Sequence, residues 1–394
     1  MKDIFIIAGK RTPVGGYLGS LSNYSAPELG AIAIRETIHS VNIDASQIDE
    51  VIFGNVLSAN LGQSPARQAA KLAGIPDRID ATTINKVCSS GLKSVSYAAQ
   101  AIQSGDSHSI IAGGMESMSN APFYLENHRN GRKIGHHQLI DGMLKDGLWD
   151  PYGDYHMGNA AELANTKYEI TREEQDTFAL SSFKRAQKAQ EESKFKSEIV
   201  PISIQSKKGN WTFNADEDVA KLNPIKMKAL NPIFEKTGSI TAANASNLND
   251  GAAALLITSK AYVEQNQLVP LAKIVSYADA AQAPEWFTTS PSLAIEKALK
   301  KANLTIADID YFEINEAYAN VPIINARILD IDLGKVNVNG GAVAIGHPLG
   351  ASGARILIGL CNILIQNNAQ YGVAAICNGG GGASAMIIKN TNFS

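Results

Sequence analysis

The chain reads as an α/β protein made of two copies of one strand-and-helix unit, with a more charged segment inserted between them. Three observations predict this. Short apolar runs alternate with stretches of three-to-four apolar spacing, the pattern of strands covered by helices, and that alternation argues for parallel sheets. Ile48-Asp49-Glu50-Val51-Ile52-Phe53-Gly54-Asn55 is echoed by Ile309-Asp310-Tyr311-Phe312-Glu313-Ile314-Asn315, each after an amphipathic stretch, Ala31 to His39 and Leu293 to Ala302. Ser90-Gly91 recurs as Ser352-Gly353, and Ile110 to Gly114 is echoed in the same order by Ala374 to Gly380. Each half is then helix, strand, reactive loop, buried helix, strand, and two sheets related by a pseudo-twofold follow.

The elements follow in order. Leu92, Val95, Ala98, Ala99 and Ile102 have helical spacing, and Gly105 closes that helix. The inserted segment, about 119–245, opens with a stretch from Asn127 to Trp149 holding His128, Arg129, Arg132, His136 and His137 without metal-ligand spacing, which reads as a solvated or subunit-contact loop. Thr171 followed by Glu173 and Glu174 starts a helix running from Arg172 to Glu192. Lys221, Lys226 and Lys228 cluster near the end of the insertion, as solvated charge or as a phosphate contact. Ser352 to Ile365 is apolar on nearly every face, so that helix is buried between layers and its Cys361 is core. Val373-Ala374-Ala375-Ile376 is a buried strand. The halves are 1–118 with 246–269, and 270–394.

Composition narrows the function classes. A chain of 394 residues that is 45% hydrophobic can bury large cores. A net charge of −3 gives no general attraction to nucleic acid or to an anionic membrane, so any anionic ligand must be bound locally. Three cysteines make no disulfide framework and suit a reducing compartment. The run Ile4 to Ala8 is too short for a signal segment and no stretch reads as a membrane span, so the expected location is cytoplasmic.

Four short segments carry chemistry. Cys88, in Asn85-Lys86-Val87-Cys88-Ser89-Ser90-Gly91, stands at a helix start, where unpaired N–H groups favour a thiolate and offer donors to an oxyanion. Cys377 ends a strand and faces Gly379 to Gly382, a turn whose backbone N–H groups can approach a ligand. His347 is pinned between Gly346 and Pro348, and Asn315 lies in Asn315-Glu316-Ala317. Equivalent loops of two halves meet at the dyad, so a nucleophilic thiol, an imidazole, a second thiol and an amide converge, the parts that hold an acyl group and make a carbanion beside it. No phosphate loop ends in Gly-Lys-Ser/Thr and no Gly-x-Gly-x-x-Gly follows a strand, which disfavours nucleotide-cofactor chemistry.

With these segments, Asn244-Ala245-Ser246 and Asn249-Asp250-Gly251-Ala252-Ala253, the chain resembles the thiolases from end to end, above all the short-chain acetyl-CoA acetyltransferases. The resemblance implies the thiolase fold, a five-layer α/β/α/β/α sandwich of two duplicated βαβαβ-type halves with an inserted loop domain for coenzyme A (CoA) binding and oligomer contacts. It implies ping-pong chemistry: Cys88, deprotonated by His347, takes an acetyl group from acetyl-CoA. Cys377 protonates the departing CoA thiolate and then removes an α proton from a second acetyl-CoA, whose carbanion attacks the acetyl group to give acetoacetyl-CoA. The N–H groups of Cys88 and Gly379 form one oxyanion site, and His347 with a water held by Asn315 forms the other.

By the same resemblance Ser246 contacts the pantetheine arm, His156 and Met157 line the acyl end, Phe234, Phe287 and Ala317 line the pocket, and Lys221 lies near the nucleotide end. Phe287 stands where many bacterial members carry methionine. The family's potassium-activated branch holds its ion with carbonyls matching Ala242, Ala243, Ala245 and Val343. Its tyrosine ligand is Phe183 here, one oxygen fewer, so no metal is assigned and no cofactor is required beyond CoA thioesters as substrates. A dimer of dimers is implied, with the 127–149 loop as the tetramer contact. The alternatives are a degradative 3-ketoacyl-CoA thiolase of broader chain length, a cysteine hydrolase and a non-catalytic acyl-CoA carrier.

Overall fold

The computed structural model describes residues 2–131, 134–206 and 209–393. In the N-terminal half β1 is Ile4–Arg11, α1 Ala26–His39, β2 Glu50–Gly54, α2 Pro65–Ala73, β3 Asp80–Ile84, α3 Ser90–Ser104 and β4 Ser109–Ser117. The region that follows holds α4 (Met157–Lys167), α5 (Arg172–Glu191) and the hairpin β5 (Ile202–Ser206) and β6 (Gly209–Phe213). Next come β7 (Asn249–Ser259), β8 (Ala272–Ala281), α6 (Ser290–Ala302), β9 (Tyr311–Ile314), α7 (Asn320–Leu329), α8 (Leu349–Gln366), β10 (Tyr371–Asn378) and β11 (Gly382–Asn390).

The helices start and stop where their sequences say. Thr171 caps α5 in a reciprocal capping box with Glu174, and Gly105 ends α3 in a left-handed conformation. The apolar helix α8 begins at Leu349, one turn before Ser352.

The strand order is β9-β10-β11-β8-β1-β7-β4-β2-β3. In the N-terminal half β3, β2 and β4 are parallel neighbours, and β7 and β1 follow antiparallel. The C-terminal half repeats the pattern: Val336 bridges in parallel to Phe312 of β9, β9 and β10 are parallel, and β11 and β8 follow antiparallel. The duplication read from the sequence is therefore a duplication of topology. The expectation of parallel sheets is corrected to mixed ones. β10 and β11 are joined by the glycine turn alone, which is too short for a crossover, so the second strand must return antiparallel. The two half-sheets touch through one short join, where Phe5 and Ile6 pair with Lys273 and Ala272.

Five layers result. Leu29, Ile34 and Ile38 of α1 pack with Ala66 and Ala69 of α2 on the outer face of the first sheet, against Val51, Ile111 and Leu256. In the middle, Leu92 and Val95 of α3 and Leu357 and Leu360 of α8 lie between Leu255 and Ile257 on one side and Ala374, Ile376 and Met386 on the other. The outer face of the second sheet packs on Ile295 and Leu299 of α6. The period of two along β10 sends Val373, Ala375 and Cys377 toward α6, and Ala374 and Ile376 toward α8.

The recurring Ser-Gly pair explains how α3 and α8 come so close. A Cβ on Gly91 would stand 2.8 Å from Ala354 N and Gly350 O, and one on Gly353 would stand 2.4 Å from Leu92 N. Each helix start thus rests backbone to backbone on the other, which puts the loops preceding both at the dyad. By length and mean hydropathy α8 could cross a membrane, contrary to the sequence expectation that no stretch would, but 78% of it is buried here as the central core helix. Cys361 is buried within it.

Candidate active site

Cys88 sits just before Ser89, the residue that caps α3. Val87 ahead of it has φ +48°, a left-handed conformation that strains a β-branched residue. Asn85 Oδ1 accepts from Val87 N at 2.8 Å, and Ser90 Oγ donates to Val87 O at 2.6 Å, so the surroundings hold the strain. The sharp turn leaves the thiol at the mouth of the helix, where the N–H groups of Cys88 itself and of Gly379 favour its thiolate.

His347 is buried in the loop before α8. Its N–H donates to Asn249 Oδ1 at 2.9 Å, and its Nδ1 lies 2.6 Å from Ser352 Oγ. The Ser352 hydroxyl proton is committed to Pro348 O at 2.8 Å, so Nδ1 carries the hydrogen and Ser352 accepts it. That leaves Nε2 as an acceptor, and Asn315 Nδ2 approaches it at 3.5 Å. Burial, with the Arg355 charge behind it, pulls the imidazole down to about 3, so His347 is neutral near pH 7 and Nε2 carries no proton.

The thiols behave differently from the sequence expectation. Burial pushes Cys88 up to about 12, and the N–H groups of Cys88 and Gly379 offset only part of that. A helix start does not by itself make a thiolate when the sulfur is desolvated. Cys377 is fully buried, and burial together with a charge on Cys88 pushes its thiol up as well. The influence of Cys88 on Cys377 places the two sulfurs in one electrostatic neighbourhood, as does Tyr318, whose hydroxyl responds to both.

The remaining residues separate into those that converge and those that do not. Met157, Phe287, Ala317, Tyr318 and Cys377 share one core cluster, and Phe234 packs against it. A Cβ on Gly379 would lie 3.7 Å from both Met157 Sδ and Val87 Cγ1, which ties the Cys88 turn to Met157 and the glycine turn. The His156 ring stacks on Phe234 at 4.6 Å, Phe234 meets Tyr318 edge-on at 5.9 Å, and Phe287 meets Tyr318 at 6.4 Å. Ser246 N donates to Ala317 O at 3.0 Å, so the serine stands beside the pocket. Lys221, expected near the nucleotide end, bonds Asp218 through its Nζ at 2.5 Å. Asp218 in turn accepts from Asn249 Nδ2 at 2.8 Å, so it braces the residue that holds His347.

Ala243 packs beside the cluster containing Val343 and Phe183, whereas Ala242 is exposed and Ala245 lies with the pocket residues. Lys226 and Lys228 lie on the short helix Pro224–Ala229. In the 127–149 segment the rings of His128 and His137 meet edge-on at 5.8 Å, and Arg132 falls outside the described residues. Among the described residues no group of three or more His, Cys, Asp or Glu side chains could hold a metal ion.

Several contributors escaped the sequence reading. Tyr318 adjoins the Asn315-Glu316-Ala317 motif and could have been flagged as its fourth residue. Ser352 was read only as a helix start. Glu316 is buried and accepts from Ser182 Oγ at 2.8 Å, Asn337 Nδ2 at 2.8 Å and Val343 N at 3.0 Å, anchoring the loop that presents Asn315. Lys86 Nζ bonds Asp279 at 2.6 Å and Ser384 at 2.8 Å, pinning the Cys88 turn to the other half.

Two duplicated α/β halves that present paired thiols, a neutral imidazole and convergent backbone donors at their dyad define a cysteine-dependent acyl-transfer enzyme. The chain belongs to the thiolase family: the thiolase N-terminal domain matches residues 4–261 and the thiolase C-terminal domain residues 268–390. It is 53% identical over 391 residues to acetyl-CoA acetyltransferase 2 of Arabidopsis thaliana, covering 98% of this chain and 97% of that protein. It is 48% identical to the acetyl-CoA acetyltransferase of Saccharomyces cerevisiae, covering 98% and 99% respectively. The crystal structure of the Acat5 thiolase from Ascaris suum in complex with coenzyme A superposes with a TM-score of 0.94 at 43% identity, covering 99% of this chain and 100% of that one.

Proposed function

We propose that this chain is an acetyl-CoA C-acetyltransferase, carrying out the reversible Claisen condensation of two acetyl-CoA to acetoacetyl-CoA and CoA. The reading is carried by the glycine turn after Cys377, which meets Met157 and Val87 of the Cys88 turn, and by the influence of the Cys88 and Gly379 N–H groups on the first sulfur and of that sulfur on the second. A hydrolase needs the first thiol and the imidazole but has no use for Cys377.

Cys88 gives its proton to His347 Nε2 as its sulfur attacks the thioester carbon. The oxygen turns negative and is held by the two N–H groups. The tetrahedral species expels CoA thiolate, which takes the Cys377 proton and leaves as CoA. Cys377, now a thiolate, removes an α proton from a second acetyl-CoA. The enolate oxygen is stabilised by protonated His347 and a water on Asn315. The carbanion attacks the acetyl carbon, and the released Cys88 thiolate recovers its proton from His347. His347 is uncharged at rest, its imidazole held well below its ordinary range by burial, and in this cycle it takes and returns one proton.

Ser246 beside Ala317 supports a pantetheine contact, and the region 119–245 is the proposed CoA-binding and oligomer domain. The Lys221–Asp218 pair speaks against a free lysine waiting for phosphate, so a nucleotide contact would require that pair to open. CoA thioesters are the substrates and no further cofactor is part of this reading. Potassium would rest on the carbonyls of Ala242, Ala243, Ala245 and Val343, and the buried Phe183 ring supplies no oxygen to it. A homotetramer through the 127–149 loop is proposed, supported by Leu139, exposed at 70%. Cytosolic location is supported by the Gibberella zeae relative, 49% identical, whose name describes it as cytosolic.

The test uses mass spectrometry after mixing with acetyl-CoA. Wild type and Cys377→Ala should gain an acetyl group on Cys88, Cys88→Ala should not, and Cys377→Ala should fail to exchange the α proton of a second thioester. Acetyl label retained by Cys88→Ala overturns the reading.

A further inference from the structure

Arg355, on α8, has 5% of its surface exposed, yet it is not neutralised the way buried cations normally are. Its Nη2 reaches Asn315 Oδ1 at 3.5 Å, while its Nε has no partner among the described residues. Glu313, the acid that acts most strongly on Arg355 and itself buried, likewise leaves Oε1 without one. Burial pushes the Glu313 carboxyl up to about 8, so near pH 7 it is largely protonated, and the buried guanidinium and this acid lie at the centre of the molecule without forming an ion pair. Replacing such a pair with apolar side chains is often neutral or stabilising, so stability alone gives little reason to keep this arrangement.

The geometry offers another reason. A guanidinium only donates, so the end of the Asn315 side chain facing it must be the oxygen. The amide nitrogen is then forced to the opposite side, where it meets His347 Nε2 at 3.5 Å. Without the guanidinium the amide can rotate end for end. His347 Nε2 would then face an oxygen, and the donor that holds the water for the second oxyanion site would be lost. Asn315 is held from its backbone as well, its N–H donating to Ala375 O at 2.9 Å, so the side-chain rotation is the freedom left to control.

We propose that Arg355 is a positioning residue for the second half-reaction, setting the orientation of the Asn315 amide toward His347 and the enolate oxygen. The inference rests on the role assigned to Asn315 above. Cys88 acylation uses the Cys88 and Gly379 donors instead of Asn315, and losing the Arg355 charge that holds the His347 imidazole down would ease rather than hinder the proton transfer, so acylation should not slow when Arg355 is replaced.

The experiment is a double-mutant cycle of Arg355→Met and Asn315→Ala, with two readouts: acetyl-Cys88 formation from acetyl-CoA, and deuterium exchange into the acetyl methyl of acetyl-CoA in heavy water. Arg355→Met should slow exchange and condensation roughly thirty-fold, as expected for a misaimed oxyanion donor, while acetylation slows no more than about three-fold. The double variant should be no slower than Asn315→Ala alone, because one residue acts through the other. Multiplying effects, or equal losses in both readouts, overturn the proposal and leave the Asn315 role standing. Exchange unaffected by Asn315→Ala overturns that role, and this inference with it. If Arg355→Met does not fold, Arg355→Gln runs the same cycle with the same criteria and a smaller loss, since its amide still offers Asn315 a donor.

Discussion

Ser89 Oγ lies 3.1 Å from Ile376 O and 2.9 Å from Asn378 Oδ1, so the residue after one thiol grips the residues on both sides of the other. The contact crosses between the two halves and is fully buried. Asn378 in turn donates to Gly379 O at 2.8 Å, which passes the constraint to the glycine turn. Ser89→Ala should therefore lower stability by about 1–3 kcal/mol, the usual penalty for a buried acceptor left unpaired. It should also cut turnover about ten-fold or more through loosened spacing of the two sulfurs. Thermal melting and steady-state rates check both, and unchanged values for each would show that the contact does not set the spacing.

The high position of the Cys88 thiol has a kinetic signature. With the group pushed up to about 12, the thiolate fraction rises about ten-fold per pH unit across the whole accessible range. Alkylation of Cys88 by iodoacetamide should accordingly keep accelerating from pH 6 to pH 9. A plateau near neutrality would mean a preformed thiolate–imidazolium pair, contrary to a His347 pulled down to about 3.

What the sequence made legible was whatever depends on near neighbours. Cys88 and Cys377 stood out because a helix start and a glycine run adjoin them, and α8 because nearly every face is apolar. The duplication was visible because each half reuses the same short words. The antiparallel joints were not, since alternation of strands and helices does not reveal which strand returns through a tight turn. Asn249, Ser352 and Arg355 act on His347 or Asn315 through contacts that no periodicity encodes. The thiolate tendency was legible only in part for a related reason: the N–H groups that favour it can be read locally, whereas the desolvation that opposes it depends on what the rest of the chain packs over the sulfur.

The glycine turn should divide into a tolerant and an intolerant position. A methyl on Gly379 would make only ordinary contacts, at 3.7 Å from Met157 Sδ and Val87 Cγ1. Gly381 has φ +79°, and a Cβ there would stand 2.2 Å from Gln282 O. Gly379→Ala should melt close to wild type, with its loss confined to turnover where the methyl meets the acyl group. Gly381→Ala should lose stability by about 2 kcal/mol or more, through clash and strain together. Equal melting of the two variants would contradict the geometry.

Chain length should be set by the aromatic wall. Phe234 and Phe287 both meet Tyr318 edge-on, and Phe287 and Tyr318 are buried against Met157 and Ala317, so the acyl end closes on rings that cannot retreat. Each methylene that a pocket accepts or refuses is worth about ten-fold or more in relative rate. Phe287→Ala removes one buried ring of this wall and should raise thiolysis of a six- or eight-carbon 3-ketoacyl-CoA at least ten-fold relative to acetoacetyl-CoA. Acetylation of Cys88 by acetyl-CoA should stay within a few-fold, because the Cys88 and Gly379 donors are untouched. The wild-type profile of thiolysis rate against chain length decides the broader question. A steep fall beyond four carbons fits the closed wall, whereas a flat profile through eight carbons would point to a degradative thiolase of wide range and to rings that yield on binding.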